Sequence, residues 1–299
     1  MYMQGNWDVV WAVYEYLDRF VGGQERAKQK LAVLASLYRA KCQCLENNIL
    51  SHSLPRLNTL IAGPTGTGKT LLISMLAEYL EIPWIRIDCA SLAQVGWKGE
   101  SIEEILHPWA QYKLDSTGFG IILLDEFDKL GNQEADTSGR VPALGTQYNL
   151  LDLLDGRYRP RDRYAARLNN CLILCAGSFA EVVSRIKFQS GNIGFLQDLT
   201  KKSVDWKETL IKGGICRELV SRLVDVIETQ ELTRDEIRGI INNTERNSLQ
   251  LYKNLCISLD FVSKDIEDLV DKVYKSSSGL RELDTAVFNL IVQKLGGRR

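Results

Sequence analysis

Two short stretches of this chain place residue types where they can handle phosphate. The first is Gly63-Pro64-Thr65-Gly66-Thr67-Gly68-Lys69-Thr70, lying between an apolar run at 56–63 and a helical pattern at 69–81. Gly63, Gly66 and Gly68 let backbone N–H groups converge on phosphate oxygens at the positive end of a helix. With that loop filled by ATP, Lys69 reaches the β- and γ-phosphates and the Thr70 hydroxyl ligates Mg²⁺. The second stretch is IILLDEFDKL, 121–130, where four apolar residues run into Asp125 and Glu126. Ligands of open α/β sheets bind at the carboxyl ends of strands, where these two carboxylates fall. Asp125 is suited to hold Mg²⁺, directly or through water, and Glu126 to polarise the water that attacks the γ-phosphate. The two stretches together predict an ATPase.

Such a site needs a sheet and helices to hold it, and the order of apolar patterns supplies them. Strands are expected at 56–63, 84–90, 170–178 and 224–229, and another opens the 120–130 stretch. Between them fall helical patterns at 20–48, 69–81, 101–114 and 146–156, the third with Pro108 as a kink point. In the first of these helices Ala27, Leu31, Leu34 and Tyr38 share one face. Apolar strands alternating with helices predict an α/β fold with a parallel sheet covered on both faces. After about residue 230 the texture becomes three amphipathic helical stretches with only a short strand-like SLDFV among them. The expected organisation is a large α/β nucleotide-binding domain over 1–229 and a smaller, mostly helical domain over 230–299.

Composition narrows the partners. The chain has 299 residues, 25% of them charged, and a net charge of −1, so it has no bulk basic field that would call for nucleic acid or an anionic membrane. No apolar run approaches the ~20 residues needed to span a bilayer, and the N-terminus lacks a signal-peptide core, so a cytoplasmic protein is expected. Cys42, Cys44, Cys89, Cys171, Cys175, Cys216 and Cys256 are scattered without CxxC spacing, and His52 and His107 stand apart; reduced thiols are expected rather than a zinc site. The basic stretch GRYRPRDRYAAR, 156–167, interleaves five arginines with two tyrosines. It is open to three readings: a nucleic-acid contact, a lure for substrate tails, or a solvated hairpin.

Given the phosphate-binding loop and the Asp125-Glu126 pair, the chain resembles the AAA+ ATPases, and within them the ClpX unfoldase branch, from about residue 18 to its end. FVGGQERAKQKLAV, 20–33, is similar to the segment that opens the family's ATPase module, and the resemblance makes Phe20 and Val21 adenine contacts. LVSRLV, 219–224, matches the arginine-finger segment, which puts that role, exerted on a neighbouring subunit, on Arg222. SSGLREL, 277–283, matches the second sensor, with Arg281 opening a helix of the small domain; LCAGSF, 174–179, stands where the first sensor is expected, with Ser178 the candidate. Gly96-Trp97-Lys98-Gly99 resembles the pore loop that grips polypeptide, with Trp97 in the aromatic position and Lys98 where the family usually has an aliphatic residue. Ile193-Gly194-Phe195 is similar to the tripeptide by which ClpX docks on its peptidase.

What the resemblance implies is a homo-hexameric, ATP-driven unfoldase that threads protein substrates through a pore, feeding a ClpP-like peptidase, with neither nucleic acid nor membrane as partner. The family's N-terminal zinc-binding domain is not expected, since fewer than twenty residues precede the module. The alternative reading is an AAA+ assembly or nucleic-acid-handling ATPase that acts as a nucleotide-dependent switch, and a third is a scaffold that binds ATP only to form rings. The intact Asp125-Glu126 pair argues against the scaffold.

Overall fold

The computed structural model describes residues 7–47, 55–93, 102–131, 142–157, 165–191, 204–243, 249, 251 and 261–296. Five strands form one sheet: β1 (Thr59–Ala62), β2 (Trp84–Asp88), β3 (Ile121–Asp125), β4 (Leu172–Gly177) and β5 (Asp225–Glu228), in the order β2-β3-β4-β1-β5. The pairs β2/β3, β3/β4 and β1/β4 are parallel. This is the α/β class expected, with the five strands anticipated before residue 230 all present and shortened at one or both ends; the strand-like SLDFV lies largely outside the described residues. In the stretch that follows β2, the chain turns at once into a helix at Cys89. Because the strands run the same way, Ala62, Asp125 and Gly177 end at one edge of the sheet.

The strands are apolar on both faces because both faces are covered. Leu60, Ala62, Ile122, Leu124, Ile173 and Cys175 form one core with Leu106, Trp109 and Ala110 of α5 (Ile102–Tyr112) and Leu150, Leu153 and Leu154 of α6 (Pro142–Leu154). Ile61, Leu123 and Leu174, which point the other way, are equally buried. Pro108 lies inside α5 without ending it. The edge strand β2 is different: Trp84, Arg86 and Asp88 are exposed and Ile87 is buried, the alternation of a strand covered on one side.

The helices are α1 (Trp7–Phe20), α2 (Glu25–Glu46), α3 (Lys69–Leu80), α4 (Cys89–Ala93), α5, α6, α7 (Ala180–Gly191), α8 (Trp206–Lys212), α9 (Arg217–Val220), α10 (Arg234–Asn243), α11 (Ser263–Lys275) and α12 (Arg281–Gly296). Ala27, Leu31, Leu34 and Tyr38 of α2 are all buried, as their spacing requires. Helices α1, α4, α7, α8 and α9 have no counterpart among the helical patterns expected from the sequence, and α4 takes Cys89 and Ala90 from the expected strand at 84–90. α1 buries only Val13 and Leu17 of its fourteen residues, too narrow a stripe to stand out among its tryptophans and charges. The C-terminal helices share a core of their own, with Ile237 and Ile241 of α10, Leu269, Val270 and Val273 of α11, and Leu283, Val287 and Ile291 of α12.

The chain divides into two compact units that interleave along the sequence. One comprises residues 1–36, 63–79 and 228–299; the other comprises 37–62 and 80–227. The phosphate-binding loop thus belongs to the same unit as the C-terminal helices. Among the described residues no helix is long and apolar enough to cross a membrane. Cys42, Cys44, Cys89, Cys171, Cys175 and Cys216 carry free thiols, and burial pushes those of Cys89, Cys171 and Cys175 up.

Within the second unit a fully buried amide connects the elements that follow β3 and precede α9. Gln147 of α6 donates to Leu130 O at 2.7 Å and Gly214 O at 3.0 Å, and accepts from Cys216 N at 2.7 Å. Replacing it removes three bonds, one to the buried Leu130 carbonyl and two to part-buried backbone groups, and a buried group that loses its partner costs about 1–3 kcal/mol. Gln147→Leu is expected to lower stability by roughly 3 kcal/mol, read as a fall in the urea unfolding midpoint.

Candidate functional site

The phosphate-binding loop leaves the end of β1 and enters α3, whose first residue is Lys69. Lys69 Nζ donates to Gly63 O and Pro64 O, both at 2.7 Å, which holds the ammonium over the loop. Thr67 Oγ1 lies 2.9 Å from Pro64 O and 2.8 Å from Thr229 Oγ1, a buried contact with the segment that follows β5. At Gly68, with φ +87°, only Val21 Cγ1 lies within 4 Å of where a Cβ would stand, at 3.7 Å. Room beside the Gly68 backbone, an ammonium held over the loop and the N-terminus of a twelve-residue helix fit a polyphosphate.

Two other segments expected at the nucleotide lie in the same unit as this loop. Val21 is buried just past α1, and the Phe20 ring meets Tyr16 at a tilt, 5.0 Å between centroids, with Tyr79 of α3 5.3 Å from Tyr16. On the other side, the turn before α12 meets the loop backbone to backbone. Leu280 N donates to Gly66 O at 3.3 Å, and a Cβ on Gly66 (φ +76°) would lie 2.2 Å from Ser278 O. Arg281 follows immediately, exposed at the head of α12. The loop, Val21 and the Arg281 turn are therefore brought together.

A residue that sequence reasoning passed over holds this group in place. Gln24, buried and at φ +59°, donates from Nε2 to Gln230 O at 2.7 Å and accepts from Gln230 N at 2.9 Å. That reciprocal pair ties the turn after Val21 to the segment whose preceding residue, Thr229, touches the loop. The only sequence signal was a glutamine after two glycines, unremarkable without its partner 206 positions away. Lys28, also fully buried, bonds Asp18 and Glu25 and lies 3.4 Å from Val21 O.

The carboxylates belong to the other unit. Asp125, the last residue of β3, is 6% exposed; its Oδ2 accepts from Arg86 Nε at 2.7 Å and its Oδ1 from Glu126 N at 2.9 Å. Glu126 has φ +53°, a left-handed conformation that costs a non-glycine residue of order 1 kcal/mol and turns the chain sharply at the strand end. Asp128 Oδ1 accepts from Ser178 N at 3.0 Å, so Ser178 joins this cluster through its backbone. Arg222 makes a two-pronged pair with Asp155, Nε to Oδ1 at 2.7 Å and Nη2 to Oδ2 at 2.9 Å, and its Nη1 donates to Glu218 O. The guanidinium holds the Asp155 carboxyl below its ordinary range. Asn58 Nδ2 reaches both Leu154 O and Arg222 O, fixing the backbone under this arginine. The Asp125 carboxylate is a hard oxygen donor of the kind that suits Mg²⁺; so, in the other unit, is the Thr70 hydroxyl in the first turn of α3.

Gly96, Trp97, Lys98 and Gly99 lie outside the described residues, as do Ile193, Gly194 and Phe195 and, of the basic stretch, Arg159, Arg161 and Arg163.

Residues 59–186 match the AAA family, described as ATPase family associated with various cellular activities. This chain is also similar to ATP-dependent Clp protease ATP-binding subunits ClpX. Those of two strains of Porphyromonas gingivalis are 27% identical over 314 residues, covering 95% of this chain and 76% of each relative. The subunit of Treponema denticola is 27% identical over 94% of this chain and 75% of its own length. The matched stretch, which begins with β1 and ends in α7, is an AAA ATPase domain, so the chain carries an enzyme that binds and hydrolyses ATP. Along nearly its whole length it is similar, as a divergent relative, to the ClpX subunits.

The Gly66 contact supplies a test of the loop. Gly66→Ala places a methyl group against Ser278 O and strains the backbone, and is expected to weaken nucleotide binding by about tenfold or more. Titration with a fluorescent ATP analogue reads the change; an affinity equal to wild type would show that the turn before α12 does not constrain the loop.

Proposed function

We propose that this ATPase is a protein unfoldase, a homo-hexameric ring that threads polypeptide through its axial pore and hands it to a ClpP-like peptidase in the cytoplasm. The observation that carries the reading is the similarity to ClpX subunits along 94–95% of the chain, with the phosphate-binding loop and the Asp125-Glu126 pair retained. The residues take these roles. Gly63 to Thr70 cradle the phosphates, and Phe20 and Val21 flank the adenine. Thr70 and Asp125 are the side chains that would hold Mg²⁺, which when bound neutralises charge building on the β- and γ-phosphates. Glu126 orients and deprotonates the attacking water. Ser178 reads the γ-phosphate side of the same carboxylate cluster.

Arg222 serves the neighbouring subunit in this proposal. An arginine supplied in trans stabilises transition-state charge and contributes about 10³–10⁵ in rate. Within its own chain the side chain pairs with Asp155 through two bonds, which fix its orientation. Arg281 heads α12 in the proposed lid, residues 230–299, one residue from the Leu280–Gly66 bond; a change at the phosphates is thereby felt at the base of that helix. Trp97, between Gly96 and Gly99 and beside Lys98, grips substrate in the pore, and Ile193-Gly194-Phe195 docks on the peptidase.

Two variants separate hydrolysis from mechanical work. Glu126→Gln should cut ATP turnover by about a hundredfold or more while ATP still binds. Trp97→Ala should leave turnover within about twofold and stop unfolding of a tagged fluorescent substrate; unfolding at the wild-type rate would overturn the threading role.

A further inference from the structure

The edge strand β2 carries a charge that the ATPase reading does not use. Arg86 sits in register with Leu123 of β3, and Asp88 with Asp125. Residues two apart on a strand share a face, so Arg86 and Asp88 lie on the side of the sheet to which Asp125 belongs. Asp125 therefore has a carboxylate directly opposite it, and like charges in that position repel. Arg86, on the diagonal, supplies the compensating charge: its Nε is 2.7 Å from Asp125 Oδ2, a contact spanning 39 positions of sequence. The second oxygen of Asp125 accepts from Glu126 N, and Asp88 Oδ1 from Ala90 N at 2.8 Å. Arg86 is thus a cation paired with the buried Asp125 carboxylate, from a side chain 47% exposed and able to swing into water.

We propose that Arg86 is a positioning residue that competes with Mg²⁺ for Asp125, holding the carboxylate while no Mg·nucleotide is present and releasing it when the divalent ion arrives. This rests on the reading of Asp125 as a metal-holding residue. The physical basis is exclusion: a guanidinium on one carboxylate oxygen occupies a lone pair and repels an incoming divalent ion. Mg²⁺ must therefore displace the Arg86 pair before Asp125 is available. The consequence is a raised Mg²⁺ requirement for nucleotide binding, with metal-free nucleotide affinity left alone. A pair half in solvent yields readily, so the penalty is modest.

The test uses the full chain and equilibrium binding of a fluorescent, non-hydrolysable ATP analogue, titrated with Mg²⁺ and, separately, in excess EDTA. Arg86→Met should lower the Mg²⁺ concentration for half-maximal binding by about threefold to tenfold and leave affinity in EDTA unchanged. Arg86→Lys, which keeps the charge, should stay within about twofold of wild type. It also provides the readout if Arg86→Met folds poorly, since a Lys variant with the low Mg²⁺ requirement expected of Met would overturn the charge argument. An unchanged or raised Mg²⁺ requirement in Arg86→Met overturns the proposal. So does an equal shift in EDTA, which would mean that Arg86 touches the nucleotide itself. Asp125→Asn distinguishes this failure from that of the underlying reading. If it leaves the Mg²⁺ dependence as in wild type, the metal role of Asp125 falls and this inference with it. If it shifts that dependence while Arg86→Met does not, only the role of Arg86 falls.

Discussion

A carboxylate at the end of a fully apolar strand needs donors, and the neighbouring strand and the turn that follows supply them here. β3 is buried along all five residues, and Asp125 closes it with little access to water. An isolated charge in such a place would be expensive or would take up a proton. Here both oxygens have donors, one a side chain of the adjacent strand and one the backbone of the next residue. Glu126 donates that backbone bond from a left-handed conformation. The strain at Glu126 and the charge at Arg86 are thus two local consequences of placing a carboxylate where a sheet ends.

The first unit meets a different constraint, closeness. Gly66 approaches the Ser278 carbonyl more tightly than any side chain would permit, and Thr229 packs its hydroxyl on Thr67. The loop that receives phosphate is thereby built into the backbone of the helical C-terminal region. The Gln24–Gln230 pair then fastens the Val21 turn to the same region. Motion of α12 and motion of the loop cannot be independent while these contacts stand. An ATPase that converts hydrolysis into domain movement needs this kind of coupling, because a soft connection would dissipate it.

Arg222 illustrates how a residue's role and its resting geometry differ. The finger role proposed for it reaches toward a neighbouring subunit, whereas its side chain bonds Asp155 and Glu218 O within its own chain. The pair is about a quarter exposed on each side and so contributes modestly to stability. Its value lies in orientation, since a planar fork held by two bonds presents its remaining edge in a fixed direction.

Local chemistry was legible in the letters. The glycine spacing of 63–68, the Lys69-Thr70 pair, the apolar run into Asp125-Glu126 and the period of Ala27, Leu31, Leu34 and Tyr38 all act within a window of a few turns, and each folds as its pattern requires. Short helices such as α8 and α9 were not legible, because seven and four residues are too few to show a period. Nor were the long-range pairs within each unit: Arg86 with Asp125, Gln24 with Gln230, Arg222 with Asp155, and Gly66 with Ser278. Each joins residues 39 to 212 positions apart, and nothing in either neighbourhood names the other. The sequence by itself determined that this chain binds phosphate on a parallel α/β sheet, because loop conformation and strand burial are set by adjacent residues. Only the tertiary structure decided which charge answers Asp125 and which turn closes on the loop, because those choices depend on how the sheet and the C-terminal helices bring distant backbone together.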